Sequence, residues 1–180
     1  SLAPQLAAIR RTSAPLLCIQ TIDAPHTVTT VSALFPADKT PIAQWDVVRG
    51  ITPITQSGSE IVAVVNSKGD ATNPVAMLKN AAQLPAKSLL FAHNLHLFMN
   101  QPGVVQALAN LRDVLKATGA TLILLSPSIM LTAEIRQDVI VLEEPLPNAV
   151  ALAKVVAHEH TNFTKSTGVT LKLSDESHAK

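Results

Sequence analysis

The sequence predicts an α/β fold of three layers with a mostly parallel sheet. Two observations carry this. Apolar runs of strand length alternate with stretches of helical periodicity, the pattern of strands joined by crossover helices. One of those runs, Thr121–Ser126, is apolar almost throughout, with Gly119 before it and Pro127 after it. A strand with no polar face is buried on both sides, as a central parallel strand is.

Taken in order, Leu2, Leu6 and Ile9 stand at helical spacing and open the chain with a short amphipathic helix. The first strand is Leu16–Thr21. Asp23-Ala-Pro25 is a helix start, and Val28, Val31 and Leu34 follow at three-residue spacing. Pro36 to Pro41 is a loop, and Pro41–Asp46 the second strand. Gln56-Ser-Gly-Ser59 has turn composition between two apolar runs, so Ile51–Val65 is expected to be a β-hairpin projecting from the main layer. Asn73-Pro74 caps a helix carrying Val75, Leu78 and Ala82. Ser88–His93 is the third strand. Pro102 opens the longest helix, which Gly119 ends. After the central strand come a short helix at Thr132–Ile135, a fifth strand at Asp138–Leu142 and a last helix, led into by Pro145–Asn148, through about His158. The expected division is one α/β domain over 1–160 and a polar tail over 161–180, a linker or an edge strand at Val169–Leu173.

Composition excludes several classes. Of 180 residues, 47% are hydrophobic and 15% charged, which makes the chain globular and large enough for one sizeable core. Fourteen basic residues are scattered and the net charge is +1, so neither nucleic acid nor a membrane surface is an expected partner. Aromatic residues are 3%, too few for base-stacking platforms. The lone Cys18 lies in an apolar strand and fits a reducing compartment, so the expected location is cytoplasmic. No run is long enough to span a membrane and the N-terminal stretch has no signal-peptide pattern.

Function in open parallel sheets gathers at the C-terminal ends of the strands. After the first strand, a phosphate-binding loop needs glycines and a lysine. Thr21-Ile-Asp-Ala-Pro-His-Thr27 has neither, and Asp23 opposes phosphate. At the end of the third strand an ATPase needs an aspartate to hold magnesium; here stand His93 and Asn94. His93 with His96 invites zinc, but no second cysteine and no HExxH supports it, so no metal is expected. Ser126 is a hydroxyl without a nucleophile elbow, better suited to capping its own turn. Trp45-Asp46-Val-Val-Arg49-Gly50 is the most distinctive string. It reads either as a structural corner or as a contact surface, since Trp and Arg are enriched at interface hot spots.

The order of several strings resembles the N-terminal domain of AAA-family ATPases of the chloroplast open-reading-frame type, also found in cyanobacteria and phages. They are Arg10–Asp23, Trp45–Gly50, Leu89–Phe98, Leu111–Asp113, Leu122–Pro127 and Leu142–Pro147. The resemblance implies a P-loop-like domain with five core strands in the order 5-1-4-3-2 and no working nucleotide site, preceding a true AAA module. That family often has aspartate where this chain has Asn94. The leading expectation is therefore a non-catalytic regulatory or assembly domain without a cofactor. Its expected partners are an attached AAA ATPase module or another copy of itself. Alternatives from other classes are a small-molecule or nucleotide sensor using the strand-end crevice, and a hydrolase using His93, His96 or Ser126. The residues expected to make contacts are Trp45, Asp46, Arg49, Gly50, His93, Asn94, His96 and Ser126.

Overall fold

A computed structural model describes residues 2–12, 14–66 and 70–144, together with 153, 156, 157, 160, 161, 164 and 165. The chain divides into two compact units, residues 1–144 and 145–180. In the second unit the described residues are helical, still so at Thr164 and Lys165, past the expected helix end near His158. The expected edge strand at Val169–Leu173 lies outside the described residues.

The first unit is built on six strands. They are β1 (Leu16–Gln20), β2 (Ile42–Asp46), β3 (Gly50–Pro53), β4 (Leu89–His93), β5 (Thr121–Ser126) and β6 (Val139–Glu143), in the spatial order β3-β2-β4-β5-β1-β6. The five parallel strands follow 5-1-4-3-2, and β3 adds an antiparallel edge beside β2. Every residue of β5 is buried, as its unbroken apolar run requires.

Six helices cover the sheet. On one face lie α1 (Leu2–Arg11) and α2 (Ala24–Ser32), whose Leu6, Val28 and Val31 pack on Leu17, Ile19, Phe91, Ile123 and Leu125. On the other lie α3 (Ser59–Asn66), α4 (Pro74–Ala81), α5 (Pro102–Thr118) and α6 (Ala133–Arg136). Ile61, Leu78, Leu108 and Ile135 pack there against Trp45, Leu90 and Leu124. Consecutive strand residues serve opposite faces, so each of the five parallel strands supplies both cores. The helix starts follow the sequence: Asp23 caps α2, and Asn73 caps α4 through the Val75 and Ala76 N–H groups. Gly119 follows α5 as expected. Thr132 stands at the start of α6 without a side-chain capping bond.

The hairpin expected at Ile51–Val65 is not there. The hairpin is β2–β3, turning through 47–49, with Gly50 at φ +69 where a side chain would be strained. Glu60–Val65 belongs to α3. Its β-branched residues favour a strand by intrinsic preference, but Ile61 and Val65, four apart, are the positions the core buries. Packing of that helical stripe outweighs a propensity difference of tenths of a kcal/mol, roughly 0.7 at most per residue. The expected turn Gln56–Ser59 forms a 3-10 turn at Gln56–Gly58 that leads into α3.

Candidate functional site

Strand register fixes what stands together. Gln20 is level with Ser126 and with Glu143, His93 with Leu125, and Trp45 with Ala92. The ends of β2, β4, β5, β1 and β6 therefore form one rim. Asp46, Arg49, Gly50, His93, Asn94, His96 and Ser126 all fall on or beside it.

Trp45 does not face out. It is fully buried, and its indole N–H donates to the Ala71 carbonyl. Period two along β2 places it with Ala43 on the face covered by α3–α6 and Asp46 on the other, so it anchors the corner and offers no contact surface. The Asp46 carboxylate accepts the N–H groups of Val48 (2.9 Å) and Arg49 (2.7 Å) and pairs with Arg49 Nε at 2.5 Å. Burial pushes this carboxyl up, but the bonds from Arg49 and Val48 more than offset it and hold it below the usual range. An exposed pair of this kind contributes at most about 1 kcal/mol.

His93 Nε2 lies 3.0 Å from Gln44 Oε1. Burial lowers the His93 pKa, against the pull of the Asp46 charge. Asn94 takes a left-handed conformation at φ 55, and its N–H donates to the Leu125 carbonyl at 2.9 Å, which ties the end of β4 to β5. Burial also lowers the His96 pKa, and its buried Nδ1 has no hydrogen-bond partner among the described residues. The Ser126 hydroxyl donates to the Ser128 carbonyl at 2.7 Å, closing its own turn. No described hydrogen bond joins a histidine to Ser126. Burial raises the Cys18 thiol pKa, which suits a strand residue and not a nucleophile.

The loop between β1 and α2 is where the fold opens a helix N-terminus onto the rim. Asp23 Oδ1 accepts the His26 N–H at 3.1 Å. Thr27, fully buried in the first turn of α2, donates its hydroxyl to the Glu144 carboxylate at 2.5 Å and lies 2.8 Å from the Thr21 hydroxyl. The Glu144 N–H donates to the Gln20 carbonyl at 3.0 Å. Thr27 and Glu144 escaped the sequence reading because 117 residues separate them; the only signal was an acidic pair closing the last strand. An open cleft of about 620 Å³ lies away from the rim, lined by Asp38, Thr55, Gln56 and Glu60 among others, and holds none of the expected site residues. Among the described residues no group of three or more His, Cys, Asp or Glu is placed to hold a metal ion. No helix among them is long and apolar enough to cross a membrane.

Residues 2–144 match the family described as SpoVK-like AAA ATPase, N-terminal domain. The chain belongs to that family. Its match ends at Glu144, where the first compact unit also ends. No curated protein sequence matches the chain. Among solved structures, this SpoVK-like domain is similar to a DNA replication initiation factor, at 10% identity and a TM-score of 0.59 over 99% of this chain and 55% of that one. It is also similar to AMPPCP-bound DnaA from Aquifex aeolicus, at 11% identity and a TM-score of 0.53 over 99% and 56%. The Drosophila ORC bound to DNA gives 13%, 0.53, 86% and 43%. At these identities the likeness is one of fold: a three-layer α/β domain of the AAA+ P-loop kind. The chain spans about half the length of the structures it resembles.

Proposed function

We propose that this SpoVK-like domain is a non-catalytic part of an AAA ATPase that regulates or assembles it through protein–protein contacts. The observation that carries the reading is the occupied N-terminus of α2. A helix N-terminus in this position binds phosphate through free N–H groups and a positive dipole end. Here Asp23 takes one of those N–H groups and Glu144 reaches Thr27 in the same turn. Two resident carboxylates stand where a phosphate would bring further negative charge. The loop supplies no lysine to offset them, and Asn94 brings no charge for magnesium at the next strand end. Calorimetry of the chain with ATP and magnesium tests this. No heat of binding is expected at millimolar nucleotide, and micromolar affinity overturns the reading.

A second reading, a small-molecule sensor in the strand-end crevice, has one observation in its favour. The buried His96 Nδ1 without a described partner is a polar atom that a ligand would satisfy.

A further inference from the structure

The two edges of the sheet are not alike. At β3 the Ile54 N–H donates to the Ile42 carbonyl, which fixes the parity of the ladder: Gly50 and Thr52 turn their backbone groups to β2, and Ile51 and Pro53 turn theirs outward. Pro53 has no N–H, so that edge offers little to a further strand. At β6 the Glu144 N–H donates to the Gln20 carbonyl. Residues 140, 142 and 144 therefore face β1, and Val139, Val141 and Glu143 each turn an N–H and a C=O outward. Among the described residues nothing pairs with those six groups. The strand contains no proline or lysine, and its register with β1 is unbroken. Neither helical layer roofs this edge. Val141 lies with Val139 on the α3–α6 side and Ile140 with Leu142 on the α1–α2 side, and Val141 and Ile140 are each 37% exposed.

An open edge of this kind takes an extended strand, because a strand presents acceptors and donors at the matching spacing. The symmetry of β6 selects which strand. Its outward residues are three, centred on Val141. Pro145, next in line, has no N–H to offer, and at the other end the Asp138 N–H is turned back to the Ile135 carbonyl. A second β6 laid antiparallel about a two-fold axis at Val141 sets Val141 against Val141, and Val139 against Glu143 on either side. All six outward groups of each copy are then bonded. Sliding the register by two residues leaves Val139 or Glu143 without a partner. The same placement brings Val141 beside Val141 on one face and Ile140 beside Leu142 on the other, which covers both exposed side chains. Charge permits it. The two Glu143 side chains stand opposite Val139 and not each other, about 14 Å apart at ~3.4 Å per residue, farther than the ~10 Å screening length of 0.1 M salt. Glu144 comes level with the second copy's Asp138, but the first carboxylate is held by Thr27 and the second by Arg112.

We propose that the outer edge of β6 docks on the same edge of a second copy of this chain, antiparallel about Val141, so that one sheet runs through both copies. The contact uses the same patch twice and closes at two. The inference deepens the assembly reading above and rests on it.

Sedimentation of the 180-residue chain from about 1 μM to about 1 mM should show monomer passing to dimer and nothing larger. Amide hydrogen exchange gives a second readout on the wild type. The N–H groups of Val139, Val141 and Glu143 should be protected in the dimer and lose protection on dilution, while those of Ile140 and Leu142, which face β1, stay protected throughout. Two variants test the register. Val141→Lys and Val141→Glu each set like charges side by side at the axis, and each alone should self-associate about tenfold more weakly or worse. The side chain is exposed, so circular dichroism should show both folded. Mixed in equal amounts, Lys meets Glu at the axis and a one-to-one dimer should return. A wild type that stays monomeric at about 1 mM, growth beyond two copies, or a mixture of folded variants that does not associate overturns the proposal. A monomer whose Val141 N–H is protected at every dilution overturns it too, and gives the edge to another segment of this chain. Variants that fail to fold leave the decision to the exchange comparison on the wild type. The nucleotide experiment fails separately: a chain that dimerises in this way but binds ATP–magnesium keeps the contact and loses the non-catalytic reading.

Discussion

Gly58 is a position where one methyl group decides the local structure. A Cβ there would lie 2.1 Å from the Ile42 carbonyl oxygen. That oxygen is held by the N–H groups of Ile54 at 2.9 Å and Thr55 at 3.2 Å, so it has nowhere to retreat. Gly58→Ala should cost about 1–3 kcal/mol, as overpacking does, and lower the urea midpoint accordingly; an unchanged midpoint sinks the close-approach argument. The histidines give a pH dependence. Burial holds His93 and His96 below the ordinary value of 6.5, so on acidification the unfolded chain takes up their protons first. Stability is then full above about pH 6.5 and falls as pH drops through the window down to their lower folded values. Urea midpoints measured from pH 8 to pH 5 should decline, and His93→Gln should flatten part of that slope. At this scale the sequence was half legible. Asp23 and Asn73 announced their helices because capping is local. Trp45 misled because residue type alone marks a hot spot; the parity of a five-residue strand decides that it points inward.

At the scale of elements, the central strand was readable because burial on both faces leaves a continuous apolar run. Leu124 lies between Cys18 and Ala92 in register and belongs to the core beneath α5. Leu124→Ala removes about three heavy atoms from a site with two small neighbours and should cost about 2–5 kcal/mol. Urea unfolding checks this, and a loss below the range would mean that the neighbouring helices collapse into the gap. The element read wrongly is α3, and the reason is physical. Glu60-Ile-Val-Ala-Val-Val65 has the composition of a strand, and no polar residue breaks the run to display a helical period. What makes it a helix is a place to put Ile61 and Val65, beside α4 and over β3, which only the assembled sheet provides. The true hairpin lay a few residues earlier, signalled by Asp46 and Gly50 on either side of a three-residue turn.

At the scale of the whole chain, the first compact unit, residues 1–144, has two hydrophobic cores of its own. Among the described residues, those of both hydrophobic cores run from Leu6 to Leu142. The sheet closes with β6 against β1, and Glu144 is tied back by its N–H to Gln20 and its carboxylate to Thr27. A domain of about 150 residues buries roughly 68–70% of the surface its unfolded chain exposes, enough for a stability of about 5–15 kcal/mol without outside help. Residues 1–144 produced alone should therefore fold, with a single cooperative urea transition and a midpoint close to that of the first transition of the full chain. Glu144→Ala in the same fragment removes one of three acceptors of the Thr27 hydroxyl, leaving the Asp23 carbonyl at 2.9 Å and the Thr21 hydroxyl at 2.8 Å, and should cost only about 0.5–1.5 kcal/mol. A fragment that unfolds in a broad, non-cooperative transition would mean that residues 145–180 take part in the core of the first unit, and the division at Glu144 would have to be abandoned.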